Sequence, residues 1–177
     1  EVGPGQYFVA EVQQNGFVQT APPPLGIHAV AAAGGQDSTS NDFGNFETAA
    51  IHGTKYNDVN GNGQRDSADP SNGSFEPGLA GWTVFLDTSD DGILDAGETS
   101  TTTVADERGD YSFADLVPGD YTVAWITPSG WQATASSQSL ALAVGDVQQD
   151  VDLFEQLIVS ATPTITTAPF ADDGDGD

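Results

Sequence analysis

Short runs of β-branched and aromatic residues alternate along this chain with clusters of Gly, Pro, Asn and Asp, the pattern of strands separated by turns. From Ile51 onward seven runs predict strands, at Ile51 to Asn57, Gly81 to Asp87, Ser100 to Val104, Asp110 to Phe113, Gly119 to Thr127, Gln138 to Val144 and Asp150 to Gln156. Tyr121, Val123 and Trp125 alternate with Thr122 and Ala124, so one side of that strand faces a core. No segment carries a convincing helical stripe. Short strands at this spacing predict an all-β sandwich.

The pattern also repeats. Moving the chain by 114 positions lays Pro4, Gly5, Tyr7, Val9, Ala10, Gly16 and Thr20 on Pro118, Gly119, Tyr121, Val123, Ala124, Gly130 and Thr134, with Phe17 on Trp131. A second block, moved by 108, lays Asp42, Phe46 and Glu47 on Asp150, Phe154 and Glu155, which places a six-residue length difference in the intervening loop. The start of the chain therefore reads as the end of a module that lacks its opening strands. Three regions follow: residues 1–48 are the C-terminal part of a preceding repeat, 49–156 a complete repeat, and 157–177 a Thr- and Pro-containing linker with an acidic tail.

Composition narrows the partners. Twenty-seven acidic residues against three basic ones give a net charge of −24, which disfavours nucleic acid and anionic membrane surfaces and favours cations. With no cysteine, no disulfide can staple the fold. No apolar run approaches the ~18 residues of a membrane span, and nothing at the N-terminus reads as a signal peptide. The chain begins at Glu1 without Met and reads as processed or excised.

The strongest chemical signal is a pair of phased acidic loops. Asp58, Asn60, Asn62, Gly63, Gln64, Asp66 and Asp69 stand at positions 1, 3, 5, 6, 7, 9 and 12 of a calcium loop, and Asp87, Ser89, Asp91, Gly92, Ile93, Asp95 and Glu98 repeat the same seven positions. Ca²⁺ takes six to eight hard oxygens, and alternate residues of a tightly curled loop aim them inward. Gln64 and Ile93 are expected to ligate through their carbonyls, and Asp66 and Asp95 directly or through water. For the last ligand of the first loop Asp69 has the correct spacing, while Glu76, followed by Pro77 and Gly78, has the look of the usual loop exit displaced by an insertion; Asp69 is preferred. Sensor proteins flank such loops with amphipathic helices and expose a Met-rich groove. Here strand-like runs flank both loops and there is no Met, so two Ca²⁺ ions are expected to act as staples.

Four stretches carry a family resemblance: Gly53-Thr54-Lys55-Tyr56-Asn57-Asp58-Val59-Asn60-Gly61-Asn62-Gly63, Glu76-Pro77-Gly78-Leu79-Ala80-Gly81-Trp82, Asp110-Tyr111-Ser112-Phe113 and Leu116-Val117-Pro118-Gly119-Asp120-Tyr121. They resemble the SdrD B-like domain, the B-type repeat of the serine-aspartate repeat adhesins, which is related to Cna B-type and prealbumin-like sandwiches. The resemblance implies a seven-stranded immunoglobulin-like or prealbumin-like Greek-key sandwich in tandem repeat. It also implies a calcium-binding spacer on a cell surface or in extracellular matrix. Asp58, Asn60, Asn62, Asp66, Asp87, Asp91, Asp95 and Glu98 carry over onto the loop pattern.

Other residues admit other chemistry. Related sandwiches join a first-strand Lys to an Asn or Asp through an isopeptide bond, and Lys55 is the only lysine; the plainer reading is an exposed strand residue. Trp82, Trp125 and Trp131 are read as core, with a sugar-stacking platform as the alternative. His28 and His52 lack metal-spaced partners, and no acid pair or Ser-His-Asp set marks a catalytic site. Asn72-Gly73-Ser74 fits a glycosylation sequon, and Asp173, Asp175 and Asp177 keep the alternate spacing of a third calcium loop. Leu157 to Thr167 has the composition to lend a strand to a neighbouring copy. The expectation is a non-enzymatic, secreted, calcium-stabilised spacer, stalk or fibre subunit, whose partners are neighbouring repeats or copies of itself in a head-to-tail fibre. The alternative is an adhesin module that binds a protein or glycan.

Overall fold

The computed structural model describes residues 2–66, 69–71, 74–104 and 108–158. The sequon at Asn72, the Asp173 to Asp177 run and all but the first two residues of the proposed lending strand lie outside them. Among the described residues the chain is all-β, with thirteen strands and no helix. No helix is therefore long and apolar enough to cross a membrane, a statement that does not bear on β-barrels.

Four strands precede residue 49: β1 (Gly5–Ala10), β2 (Phe17–Ala21), β3 (Ile27–Ala32) and β4 (Gly44–Glu47). They pair antiparallel as β1 with β3 and β2 with β4. The remainder forms a sandwich. One layer contains β5 (Ala49–Asn57), β8 (Asp110–Leu116), β10 (Trp131–Ala133), β12 (Val147–Gln148) and β13 (Leu153–Leu157). The other contains β6 (Thr83–Leu86), β7 (Ser100–Thr102), β9 (Gly119–Trp125) and β11 (Gln138–Leu142), in the order β11-β9-β6-β7.

A strand stands at each of the seven places expected after residue 49, but the count of seven does not hold, because the short β10 and β12 bring it to nine. The three-residue β10 follows Gly130 and is too brief for a periodicity to show. The last strand is broken in two. Both β12 and β13 run parallel along one edge of β5, with β8 antiparallel on the other edge. Gly53 marks the break between them, because the Val151 carbonyl and the Tyr111 hydroxyl occupy the space a β-carbon would need. Those two groups hydrogen-bond each other there at 2.5 Å, and the Val151 N–H donates to the His52 carbonyl at 3.1 Å.

The core lies between the layers. Ala49 and Ile51 of β5, Tyr111 and Phe113 of β8, and Leu153 of β13 meet Val84 and Leu86 of β6, Val123 and Trp125 of β9, and Leu142 of β11. Each set alternates along its strand, as a sheet with one buried face requires. Trp82 and Trp125 are buried and Trp131 stands edge-on to Trp82 at 5.2 Å, so their rings pack the sandwich and are not laid out as a sugar platform. Gly53→Ala is expected to destabilise the module by about 2 kcal/mol or more through overpacking. Chemical denaturation reads this as a lower midpoint with an unchanged m-value.

Candidate metal centres

Each acidic loop starts where a strand ends. The first leaves β5 at Asp58, whose N–H donates to the Glu155 carbonyl of β13 at 2.8 Å, while the Gln156 amide donates to the Val59 carbonyl at 3.0 Å. The second leaves β6 at Asp87, whose N–H donates to the Thr122 carbonyl of β9 at 2.8 Å. Both loops therefore tie neighbouring strands together at one strand's end.

The two loops are built alike. In the first, the Asp58 carboxylate accepts the N–H groups of Gly61 at 2.7 Å, Asn62 at 3.1 Å and Gly63 at 2.7 Å, and the Asn62 side-chain oxygen accepts the Gln64 N–H at 2.8 Å. In the second, the Asp87 carboxylate accepts the N–H groups of Asp90 at 2.7 Å and Gly92 at 2.8 Å, and Asp91 accepts the Ile93 N–H at 2.8 Å. The backbone turns left-handed at the same two places, Gly61 and Gly63 in one loop and Asp90 and Gly92 in the other. Glycine at position 6 was legible in the sequence; the second left-handed position was hidden because loop two fills it with Asp90, a residue type that tolerates this conformation.

The closing acid is where the structure departs from expectation. In loop two Glu98 accepts the N–H groups of Thr88 at 2.6 Å and Asp95 at 3.0 Å. In loop one the equivalent N–H groups, those of Val59 and Asp66, go to Glu76 at 3.2 and 3.1 Å. Asp69, preferred on spacing, instead caps the Ser71 N–H at 2.9 Å and the Ser71 hydroxyl at 2.7 Å. The loop-exit motif Glu76-Pro77-Gly78 is held against β5, with the Asn57 N–H on the Pro77 carbonyl and Gly78 bridged to Tyr56.

Asn60 and Asn62 direct their amides to Asp66, and Ser89 leans on Asp87 at 3.3 Å. The Ile93 side chain is 63% exposed, as suits a residue expected to act through its carbonyl. Backbone donors hold the Asp58 carboxyl below its usual range against the opposing effect of burial; the buried Thr134 hydroxyl beside it makes no well-formed hydrogen bond, so the three N–H groups carry the effect. Asp87 behaves likewise through Gly92, Asp90 and Asp91, and Glu98 is lowered chiefly by the Asp95 N–H. Glu76 differs. It is 1% exposed, and burial first, then the charges of Asp58 and Asp66, push its carboxyl up.

Hard oxygens on a curled loop, closed by a carboxylate that is buried beside other carboxylates, are a set that a divalent cation would fit. Among the described residues no three His, Cys, Asp or Glu side chains form a finished cage, so amide and main-chain oxygens would have to complete the set. Asp58, Asn60, Asn62, Gln64, Asp66 and Glu76 would hold one ion, and Asp87, Ser89, Asp91, Ile93, Asp95 and Glu98 the other.

The model of the SdrD B-like domain matches residues 49–169, most of the chain and all of the sandwich just described. The chain belongs to the SdrD B-like domain family. No curated protein matches it. Among solved structures it is similar to the minor pilin of the Gram-positive pathogen Streptococcus agalactiae, at 15% identity and a TM-score of 0.44 over 81% of this chain and 65% of that one. It is also similar to the major pilin subunit of Bacillus cereus, at 16% identity and a TM-score of 0.38 over 74% of this chain and 37% of the pilin.

Inside the SdrD B-like sandwich Lys55 is not an exposed strand residue. It follows Ala49, Ile51 and Gly53 on the inner face of β5 and is wholly buried. Its ammonium lies 3.9 Å from the Trp125 ring centroid, 5.2 Å from that of Trp82 and 3.9 Å from Glu155 Oε1, without a hydrogen bond. Glu155 accepts the Trp125 indole and Thr127 hydroxyl, each at 2.5 Å. Burial lowers the Lys55 pKa to about 7, with the Glu155 charge opposing.

Two predictions follow from this geometry. Glu76→Gln is expected to weaken calcium binding at loop one at least about tenfold, whereas Asp69→Asn leaves it unchanged, as isothermal titration with Ca²⁺ will show. For Lys55 the unfolded chain, with its pKa near 10.5, binds a proton that the folded chain has given up above about pH 7, so stability rises with pH from about 7 to 9.5, by at most ~1.4 kcal/mol per pH unit. Urea titrations at fixed calcium measure that slope, and Lys55→Met removes it.

Proposed function

We propose that this chain is a calcium-stapled structural module: a spacer, stalk or fibre subunit of an extracellular bacterial surface or matrix protein, mechanical and not enzymatic. The observation that carries this reading is the repeated loop scheme. Two segments of different sequence fold onto the same set of N–H to carboxylate bonds, each closed by a Glu. Each stands where a strand of the sandwich ends against its neighbour.

Membership of the SdrD B-like family supports a structural role. The charge of −24 supports it too, because so acidic a chain repels itself unless cations are present and gains most where calcium is plentiful. A chain without cysteine must find its staple elsewhere. We further propose that its partners are neighbouring repeats or copies of itself.

Mass action sets the scale. Free calcium at a hundredfold over the dissociation constant stabilises the folded state by about 2.7 kcal/mol per site. For a module of this size two sites correspond to a melting temperature on the order of 20 °C higher. Calorimetry in millimolar calcium and then in excess chelator is expected to show that fall, with Asp58→Ala and Asp87→Ala each reproducing part of it. A melt that does not move removes the calcium reading.

A further inference from the structure

We propose that Thr134 is a positioning residue of the loop-one cation site: its hydroxyl, carried in from the end of β10, holds the Asp58 carboxylate towards the ion. The inference rests on the calcium reading of that loop and adds to it a residue that belongs to neither acidic run.

An orphaned atom is the first ground. The Thr134 hydroxyl oxygen is buried and, among the described residues, makes no hydrogen bond. It lies against the Asp58 carboxylate, which is itself wholly buried. A buried hydroxyl left without a partner is costly, and a methyl group in its place would avoid the cost. An ion in the loop would draw on the same carboxylate, and ligating carboxylates are oriented by donors of this kind.

The match with loop two is the second ground. Each first acid is met by the N–H groups of loop positions 4, 5 and 6, those of Gly61, Asn62 and Gly63 for Asp58 and of Asp90, Asp91 and Gly92 for Asp87. Each is also met by one hydroxyl. For Asp87 this is Ser89, at position 3 of its own loop and 3.3 Å away. In loop one position 3 is Asn60, which has no hydroxyl and turns its amide to Asp66. Thr134 brings the missing group from another strand.

Packing sets it there. The Thr134 N–H donates to the Phe154 carbonyl of β13 at 3.3 Å, and a β-carbon on Gly63 would lie 3.1 Å from the Thr134 carbonyl oxygen, so loop one is seated directly on this residue. Beside Gly92 in loop two the space is open, with no described atom within 4 Å of such a carbon. An ion in loop one would therefore fasten the end of β5 to β10 as well as to β13. By linkage, cation binding and the docking of β10 then support each other.

Calorimetric titration with Ca²⁺ tests this in two backgrounds, Asp87→Ala to read loop one and Asp58→Ala to read loop two. Thr134→Val keeps the shape of the side chain without its oxygen. It is expected to weaken binding at loop one about 10- to 100-fold, with Thr134→Ser restoring it and loop two unmoved by either change. In excess chelator Thr134→Val is expected to melt where its parent does, because the hydroxyl has no partner to lose there; that melt is also the folding control. Unchanged affinity at loop one overturns the proposal. So does a fall in melting temperature as large in chelator as in calcium, the mark of a hydroxyl that serves only the fold. Both of those outcomes leave the calcium reading standing, whereas failure of either background to take up calcium removes that reading and this proposal together.

Discussion

The first strand of the module and its last lie side by side, and this parallel contact has to be made across nearly the whole module. The Thr54 N–H reaches the Asp152 carboxylate and the Gln156 amide reaches the Val59 carbonyl over sequence separations of 98 and 97 residues. Contacts so distant carry a loop-closure cost that no hairpin relieves, because parallel neighbours cannot be joined by a tight turn. The devices found along this edge all serve that contact: Gly53 admits the Val151 carbonyl, Lys55 and Glu155 face each other inside, and the first acidic loop fastens the end.

A lysine in a core is costly, and a buried ion pair is weak evidence of net stability. What the pair supplies is register. A slip of β13 by one residue would turn Glu155 to the outer face, away from the Trp125 and Thr127 donors, and bring Phe154 in against an ammonium with no counter-charge. Tyr56 and Phe154 stack on the outer face at 5.7 Å and fix the same alignment from the other side. The charge pair and the ring pair thus each read one face of a single seam.

The strands were legible because alternation along a half-buried sheet is written into the residues themselves, and Val123 and Trp125 show this plainly. The two acidic loops were legible for a related reason, since backbone geometry forces ligands onto alternate positions. Spacing left two acids for the close of the first loop, Asp69 and Glu76. In the fold the Pro77 carbonyl anchored to β5 sets Glu76 beside the Val59 and Asp66 N–H groups, a placement that counting along a lengthened loop does not reveal. The inward lysine ran against the residue's usual preference for solvent. Its place followed from strict alternation with Ala49, Ile51 and Gly53, a signal that the interposed glycine hides.

The parallel seam has one more consequence, which concerns load. When a chain is drawn out along its length, tension enters the module at the start of β5 and leaves at the end of β13. In neighbouring parallel strands those two points sit at opposite ends of the contact, so the strands are pulled to slide past one another. Every bond along the edge then resists at once, from Ala50 near one end to Asp58 at the other. An antiparallel closure would have put both points at the same end and opened like a zip, one bond at a time. Extension meets this fold along its shear direction, with the first acidic loop clamped at the end where β5 stops.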